Sequence, residues 1–111
     1  MALGDLEQLI LLALARFDGH AHGAAIALEI EAASGRVVSP GALHTVLERL
    51  QDKGLVESRI GDTTPARGGR RRRLYTLLPA GAREVRDWYA GVQRLAAGAV
   101  LRLDALTEEG S

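Results

Sequence analysis

The sequence of 111 residues contains no cysteine, and aromatic side chains make up only 4% of it. The absence of cysteine excludes disulfides, thiolate metal sites and cysteine nucleophiles, and the scarcity of aromatics predicts an aliphatic core. No apolar run has the length of a membrane span. Residues 1–8 carry two acids and no base, which is not the pattern of a secretory signal. We therefore expect a cytoplasmic protein of one small domain, without a membrane partner.

The charges are unevenly distributed, although 14 basic and 14 acidic residues give a formal net charge of zero. Nearly all the basic residues are arginines, and a cluster of them falls between residues 67 and 73. No acid occurs between Asp62 and Glu84. A neutral average with one concentrated positive segment predicts a local anionic partner.

The first helix is predicted over residues 5–17, where apolar side chains recur at i, i+3, i+4 and i+7. Asp5 and Gln8 have the spacing of a capping box at its start. Leu11 and Leu12 point away from the apolar stripe, so the helix must be covered on a second side. Either neighbouring elements of the same chain or another subunit can supply that cover.

A second helix is predicted over residues 23–33, and residues 36–38 are expected to be extended, as one short strand. The third helix has the clearest start in the sequence. Ser39 is a favourable N-cap, Pro40 occupies the first helical position, and Gly54 ends the helix. Its predicted buried stripe consists of Leu43, Val46, Leu47 and Leu50.

A β-hairpin is predicted next, from strands over residues 55–60 and 72–78. The loop between them, residues 61–69, is rich in Gly, Thr and Pro. Because side chains alternate along a strand, Arg73 points to the opposite face from Arg72. We therefore expect one of this pair to pack on the sheet.

The last helix is predicted over residues 79–106, followed by a polar tail over residues 107–111. A helix of about 25 residues is roughly 38 Å long, which exceeds the width of a small domain, so we expect its apolar stripe to pair with another subunit. Residues 1–78 then form one domain, and residues 79–106 the dimerisation helix. The candidate dimerisation residues are Leu11, Leu12, Val85, Trp88, Tyr89, Val92, Leu95, Ala96, Ala99 and Leu103.

This order of elements predicts a winged helix-turn-helix: a mainly α fold with a small β-hairpin wing (α+β) and a long C-terminal dimerisation helix. The capped third helix is expected to enter the major groove of DNA with its N-terminal end leading. The arginines of the hairpin are expected to contact phosphates or the minor groove. The candidate DNA-binding residues are Ser39, His44, Thr45 and Arg49 on the helix, and Arg67, Arg70, Arg71 and Arg72 on the wing.

Over residues 3–85 the sequence resembles the PadR family of transcriptional regulators. The resemblance rests on an ordered set of motifs at matching separations, no one of which is diagnostic alone. These motifs are Leu3-Gly4-Asp5-Leu6-Glu7, His22-Gly23, Ser39-Pro40-Gly41-Ala42-Leu43, Leu47-Glu48-Arg49-Leu50, Lys53-Gly54-Leu55-Val56-Glu57, Gly69-Arg70-Arg71-Arg72, Tyr75, Leu77 and Pro79-Ala80-Gly81.

The resemblance implies a homodimeric DNA-binding repressor whose last helix pairs with the first and last helices of its partner. It also implies that some relatives release DNA when they bind phenolic acids or flat apolar compounds. A two-fold dimer would bind a near-palindromic double-stranded operator, with half-sites about 34 Å apart or a multiple of that distance.

Three positions depart from the family pattern. His44-Thr45 stands where relatives usually have Tyr-Pro, so a ring nitrogen of His44 can replace the tyrosine contact. Leu78 occupies the place of a threonine cap, which costs about 1 kcal/mol, and we expect this helix start to fray or shift. Val92 stands about where relatives often carry a tryptophan, and Trp88 comes one turn earlier.

Trp88, Tyr89 and Val92 allow two interpretations: packing in a dimer core, or the wall of an effector pocket for a planar apolar or phenolic compound. The histidines and acids lack the spacing of a metal site, and no catalytic constellation or cofactor motif occurs. We therefore expect no enzyme activity, metal or cofactor. The alternative function is a winged-helix protein-interaction module without DNA binding, which Glu48 on the third helix allows.

Overall fold

A computed structural model describes residues 2–61 and 72–109 of the chain. The described residues form a mainly helical fold with one small antiparallel sheet, which confirms the predicted fold class. None of the described helices is long and apolar enough to cross a membrane. In chain order the elements are α1 (Asp5–Arg16), β1 (His20–His22), α2 (Gly23–Ser34), α3 (Pro40–Asp52), β2 (Val56–Ile60), β3 (Arg73–Leu77), α4 (Pro79–Ala96) and α5 (Ala99–Glu109).

The sheet has three strands in the order β1-β3-β2. β2 and β3 form the predicted hairpin, with Ser58 opposite Tyr75. The sequence did not predict β1, because a three-residue strand with one apolar side chain, Ala21, gives no alternating pattern. The strand expected at residues 36–38 is wrong, since this segment connects α2 to α3 without strand structure.

The core lies between α1, α2, α3 and the sheet, and it is aliphatic apart from Tyr75. The predicted buried stripe of α3 is confirmed. Complete burial of one such aliphatic side chain contributes about 1.5–3 kcal/mol, so these residues hold α3 firmly to the rest of the domain. The largest fully buried side chains are Ile10, Leu11, Leu14, Ile26, Leu47, Leu50 and Val56.

The start of α3 is as predicted, whereas the start of α1 is not. Ser39 Oγ accepts a hydrogen bond from the Ala42 amide at 3.2 Å, and Pro40 is the first helical residue. α1 has Gly4 as its N-cap, and the Gly4 amide donates to Glu7 Oε1 at 3.1 Å. The predicted capping box of Asp5 and Gln8 is therefore wrong, because the observed one begins one residue earlier. The side chain of Gln8 is buried, with 2% of its surface exposed.

α4 begins at Pro79 without a side-chain cap, and the start predicted to fray or shift stays in place. The Leu78 amide donates to the Leu55 carbonyl at 3.0 Å. Gly81 packs so closely on Leu55 that a Cβ atom at this position would clash with the Leu55 carbonyl oxygen. These two contacts attach the start of α4 to the segment between α3 and β2.

The single helix predicted over residues 79–106 is wrong, because α4 and α5 are separated at Gly98. Gly98 has φ 83°, a left-handed conformation that glycine adopts at little cost and that commonly ends helices. The predicted polar tail is also wrong in part, because α5 continues to Glu109. The molecule is elongated, with a long axis of 57 Å and a radius of gyration of 16.7 Å, against about 13 Å for a compact chain of this size.

A partly buried ion pair joins α1 to the end of α3. Lys53 Nζ lies 2.6 Å from Glu7 Oε2, and the two side chains are 29% and 12% exposed. Burial raises the pKa of Glu7, but hydrogen bonds from Lys53 and the Gly4 amide outweigh this effect. The pKa of Glu7 is therefore lowered from its ordinary value of 4.5. A carboxyl whose pKa is lowered by folding stabilises the fold above its unfolded pKa, and that contribution is lost as the pH falls through the folded value.

We expect Lys53→Met to lower the free energy of unfolding by about 1–3 kcal/mol at pH 7, because the Glu7 carboxylate loses its charged donor. The deficit should shrink as the pH falls below 4.5, where Glu7 takes up a proton. Urea unfolding at pH 7 and at a pH well below 4.5 measures the deficit under the two conditions. Arg16→Met is the control, because Arg16 is 67% exposed in its pair with Glu29 and its loss should cost under about 1 kcal/mol. A deficit equal at both pH values would contradict the prediction.

Candidate nucleic-acid interface

The N-terminal end of α3 is exposed to solvent. The Ser39 hydroxyl accepts from the Ala42 amide at 3.2 Å, which leaves its hydrogen available to donate. The helix dipole adds positive partial charge at the same end. These two features together suit a phosphate oxygen. The expected contact of Ser39 with DNA stays a prediction.

The three other candidate residues of α3, His44, Thr45 and Arg49, are all exposed. Thr45 Oγ1 donates to the Gly41 carbonyl at 3.0 Å, so its hydroxyl hydrogen is already used. His44 Nε2 lies 2.9 Å from Glu48 Oε1, one helical turn away. His44 therefore keeps only Nδ1 for a further contact. Arg49 is exposed, and it lies near enough to Glu7 of α1 for its charge to help lower the pKa of that carboxyl.

A chain of side-chain hydrogen bonds holds the hairpin beside α3. Arg73 Nη1 donates to Ser58 Oγ at 3.0 Å, and Ser58 Oγ donates to Gln51 Oε1 at 2.7 Å. Arg73 thus lies on the helix-facing side of the sheet, whereas strand alternation predicted only that one of Arg72 and Arg73 would lie there. It lines an open cleft of about 420 Å³ together with His44, Glu48, Gln51 and Asp52.

Arg73 lies beside the candidate residues of α3, although it is not among the DNA-binding residues predicted from the sequence. Its guanidinium is close enough to the phenol of Tyr75 to influence its pKa. Burial raises the pKa of Tyr75, while Arg73 acts against that rise and Glu48 adds to it. The sequence could have indicated this position of Arg73, because Arg73, Tyr75 and Leu77 alternate onto one face of the strand.

Of the candidate wing residues, Arg72 is described and is exposed at the start of β3. Its carbonyl accepts from the Gly61 amide at 2.7 Å, which closes the base of the hairpin. Arg67, Arg70 and Arg71 lie outside the described residues, so their placement stays a prediction.

The candidate dimerisation residues fall into two groups. Leu11 and Val85 are 0% and 4% exposed within their own chain, so they belong to its core and have no surface left for a partner. For Leu11 the cover comes from the same chain, which was one of the two alternatives. Leu12 and Trp88 are partly buried against this core. The remaining candidates keep partial or full exposure: Tyr89, Val92, Leu95, Ala96, Ala99 and Leu103.

The residues of the candidate effector pocket differ in their surroundings. Trp88 packs partly against the core of its own chain, whereas Tyr89 and Val92 are 45% and 41% exposed. A pocket walled by all three side chains would need a further surface opposite them. Their effector role stays a prediction.

The two histidines of β1 have local structural partners. His20 Nδ1 lies 3.3 Å from Thr76 Oγ1, and His22 Nδ1 lies 3.2 Å from the Arg73 carbonyl. Across residues 2–61 and 72–109, no group of three His, Asp or Glu side chains is arranged to hold a metal ion.

Comparison with known proteins relates this chain to regulators of one family. The model of the transcriptional regulator PadR-like family matches residues 10–87, more than half of the chain. A curated relative, an uncharacterized 37.1 kDa protein in transposon TN4556 of Streptomyces fradiae, is 41% identical over 81 residues. That match covers 73% of this chain and 21% of the relative, so the chain spans about a fifth of that protein's length.

Solved structures share the fold. A PadR-like transcription factor from Bacteroides fragilis has a TM-score of 0.71 and 24% identity, over 85% of each chain. PadR from Bacillus subtilis, solved in complex with operator DNA, has a TM-score of 0.64 and 23% identity, over 76% of this chain and 47% of its own. These likenesses confirm the predicted winged-helix fold.

Proposed function

Because the chain belongs to the PadR-like family of transcriptional regulators, we propose that it binds DNA as a homodimer and represses transcription by occupying a near-palindromic operator. The observation that supports this proposal is the exposed, Ser39-capped α3, to which Arg73 of the β2–β3 hairpin is linked through Ser58 and Gln51. A helix inserted by its N-terminal end and a basic hairpin next to it can contact one groove and the adjacent backbone together.

In this arrangement α3 contacts base edges and phosphates of the major groove through Ser39, His44, Thr45 and Arg49. The hairpin contacts the backbone or the minor groove through Arg67, Arg70, Arg71 and Arg72. Phosphate contacts position the protein without selecting a sequence, whereas contacts to base edges select it. Selection of the operator is therefore assigned to α3.

Homodimer formation is supported by the apolar surface of α4 and α5. α5 buries none of its residues, although apolar side chains recur in it from Ala99 to Leu106. Contiguous apolar surface of this kind is rare on a monomer and is typical of an interface. A second copy of the chain would cover it. The most exposed large apolar residues here are Tyr89, Val92, Leu95, Val100, Leu101, Leu103 and Leu106.

Release of the operator is assigned to a planar apolar or phenolic effector bound where two α4 helices meet. Support comes from Tyr89 and Val92, which are exposed beside the partly buried Trp88. Trp88 is the chain's only tryptophan, so its fluorescence reports directly on this place. If no planar aromatic compound changes that fluorescence, the three residues serve packing alone.

The test of the proposed function is binding to the DNA upstream of the protein's own coding sequence. We expect that fragment to be bound at physiological salt with Kd on the order of 10⁻⁸ M or tighter, and at least 10³-fold more tightly than a shuffled fragment. Equal affinity for the two fragments would contradict sequence-specific regulation. Absence of binding to either would favour the protein-interaction module instead.

A further inference from the structure

The exposed face of α3 carries two carboxylates, Glu48 and Asp52, as well as the residues assigned to DNA. A carboxylate placed near phosphates is repelled by them. It is tolerated in a groove where a base supplies a hydrogen-bond donor, because an ionised carboxylate accepts and never donates. Each of these two residues therefore either repels DNA or selects a base that carries a donor.

Glu48 differs from Asp52 in that its carboxylate is held in one place. His44 Nε2 contacts Glu48 Oε1 at 2.9 Å, and the side chains are 60% and 61% exposed. The other oxygen, Oε2, has no hydrogen bond or ion pair within the described part of the chain. Glu48 thus presents one free acceptor on the exposed face of α3, one helical turn after His44.

The major groove offers hydrogen-bond donors on only two bases, cytosine through N4 and adenine through N6. Adenine presents its N7 acceptor directly beside N6, and that lone pair repels a carboxylate. On the edge of cytosine itself N4 stands alone as a donor. A free carboxylate oxygen on this helix therefore discriminates in favour of cytosine.

We propose that Glu48 is a specificity residue of α3, whose Oε2 accepts a hydrogen bond from N4 of one cytosine in each operator half-site. His44 is a positioning residue that holds the carboxylate through Oε1. Arg73, on the other wall of the same cleft, offsets part of the negative charge of Glu48 and Asp52. This inference rests on the proposed function, because it assigns one base pair to the same DNA-contacting helix.

The test is selection from a randomised DNA pool by the full-length protein, followed by sequencing of the bound fraction. The wild-type protein should enrich a motif with a cytosine in each half-site. Glu48→Gln should reduce the preference for cytosine at that position roughly 5- to 100-fold. Asp52→Asn removes the same charge one turn further along α3, and it should leave that preference unchanged.

His44 variants test the positioning role. His44→Ala should weaken the preference for cytosine at the base pair assigned to Glu48, in addition to the loss of the contact that His44 itself makes to DNA. His44→Gln, whose amide can donate to Glu48, should restore most of that preference. A purely structural role for His44 would weaken all positions of the motif alike.

The outcomes separate the inference from the proposed function. If Glu48→Gln and Asp52→Asn raise the affinity for every sequence alike, Glu48 acts only by repulsion and the inference is overturned, while sequence-specific binding stands. The same holds if the wild-type motif contains no cytosine that responds to Glu48→Gln. If the wild-type protein enriches no motif, the proposed function fails and the inference fails with it.

Discussion

Replacing Arg70, Arg71 and Arg72 together with alanine is expected to weaken DNA binding on the order of a thousandfold at low salt, and to flatten its salt dependence. Three arginines in each of two subunits neutralise about six phosphates, which contribute about −5 to the slope of log affinity against log salt. The loss should be nearly equal for operator and shuffled DNA, since phosphate contacts carry no sequence information. Fluorescence anisotropy at several salt concentrations measures both quantities.

The matched control replaces Arg16, Arg83 and Arg86 together with alanine. It removes the same number of positive charges, but from α1 and α4. We expect its salt slope to stay within about one unit of the wild-type value, because the slope reports only arginines that contact phosphates. An unchanged slope in the hairpin variant, or an equal change in the control, would refute the assignment of the hairpin to DNA.

Introducing glutamate at Val92 and Leu95 is expected to convert the proposed dimer into monomers and to abolish selective operator binding. These side chains are 41% and 82% exposed within one chain, so the substitutions spare the core. In a two-fold dimer they would bring four carboxylates into an apolar contact, which is strongly unfavourable. A monomer contacts one half-site, and operator affinity should fall on the order of 10³-fold, close to the non-specific level.

Leu28→Glu with Val37→Glu is the control for this variant. These side chains are 66% and 75% exposed, and they lie outside α4 and α5. Sedimentation velocity at micromolar concentration should show a dimer for the wild type and the control, and a monomer for the α4 variant. Circular dichroism checks that both variants keep their helices. A dimeric α4 variant would show that the subunits associate through another surface.

The sequence predicted best the elements whose signals are local. Ser39 and Pro40 define the start of α3 without reference to the rest of the chain, and the capping bond is present in the structure. The buried stripe of α3 and the β2–β3 hairpin follow from periodicities of 3.6 and 2 residues. These elements together contain the described residues of the candidate interface. Arg73 is the residue of this surface that was not predicted from the sequence.

Features that depend on tertiary contacts were predicted less well. α1 is apolar on most sides, and periodicity alone did not decide whether Leu11 is covered by its own chain or by a partner. Val85 continues the apolar stripe of the last helix, but the first turns of α4 lie against the core and bury it. Gly98 costs only about 1 kcal/mol inside a helix, so its presence did not by itself predict the separation of α4 from α5.

The contact between Gly81 and the Leu55 carbonyl has a consequence for signalling between the subunits. With no space at this contact, α4 has little freedom to rotate independently of the segment that follows α3. In the proposed dimer, a change in the crossing angle of the two α4 helices would therefore be transmitted to both α3 helices without an intervening element. An effector between the subunits would alter the separation of the half-site contacts through one backbone junction in each chain.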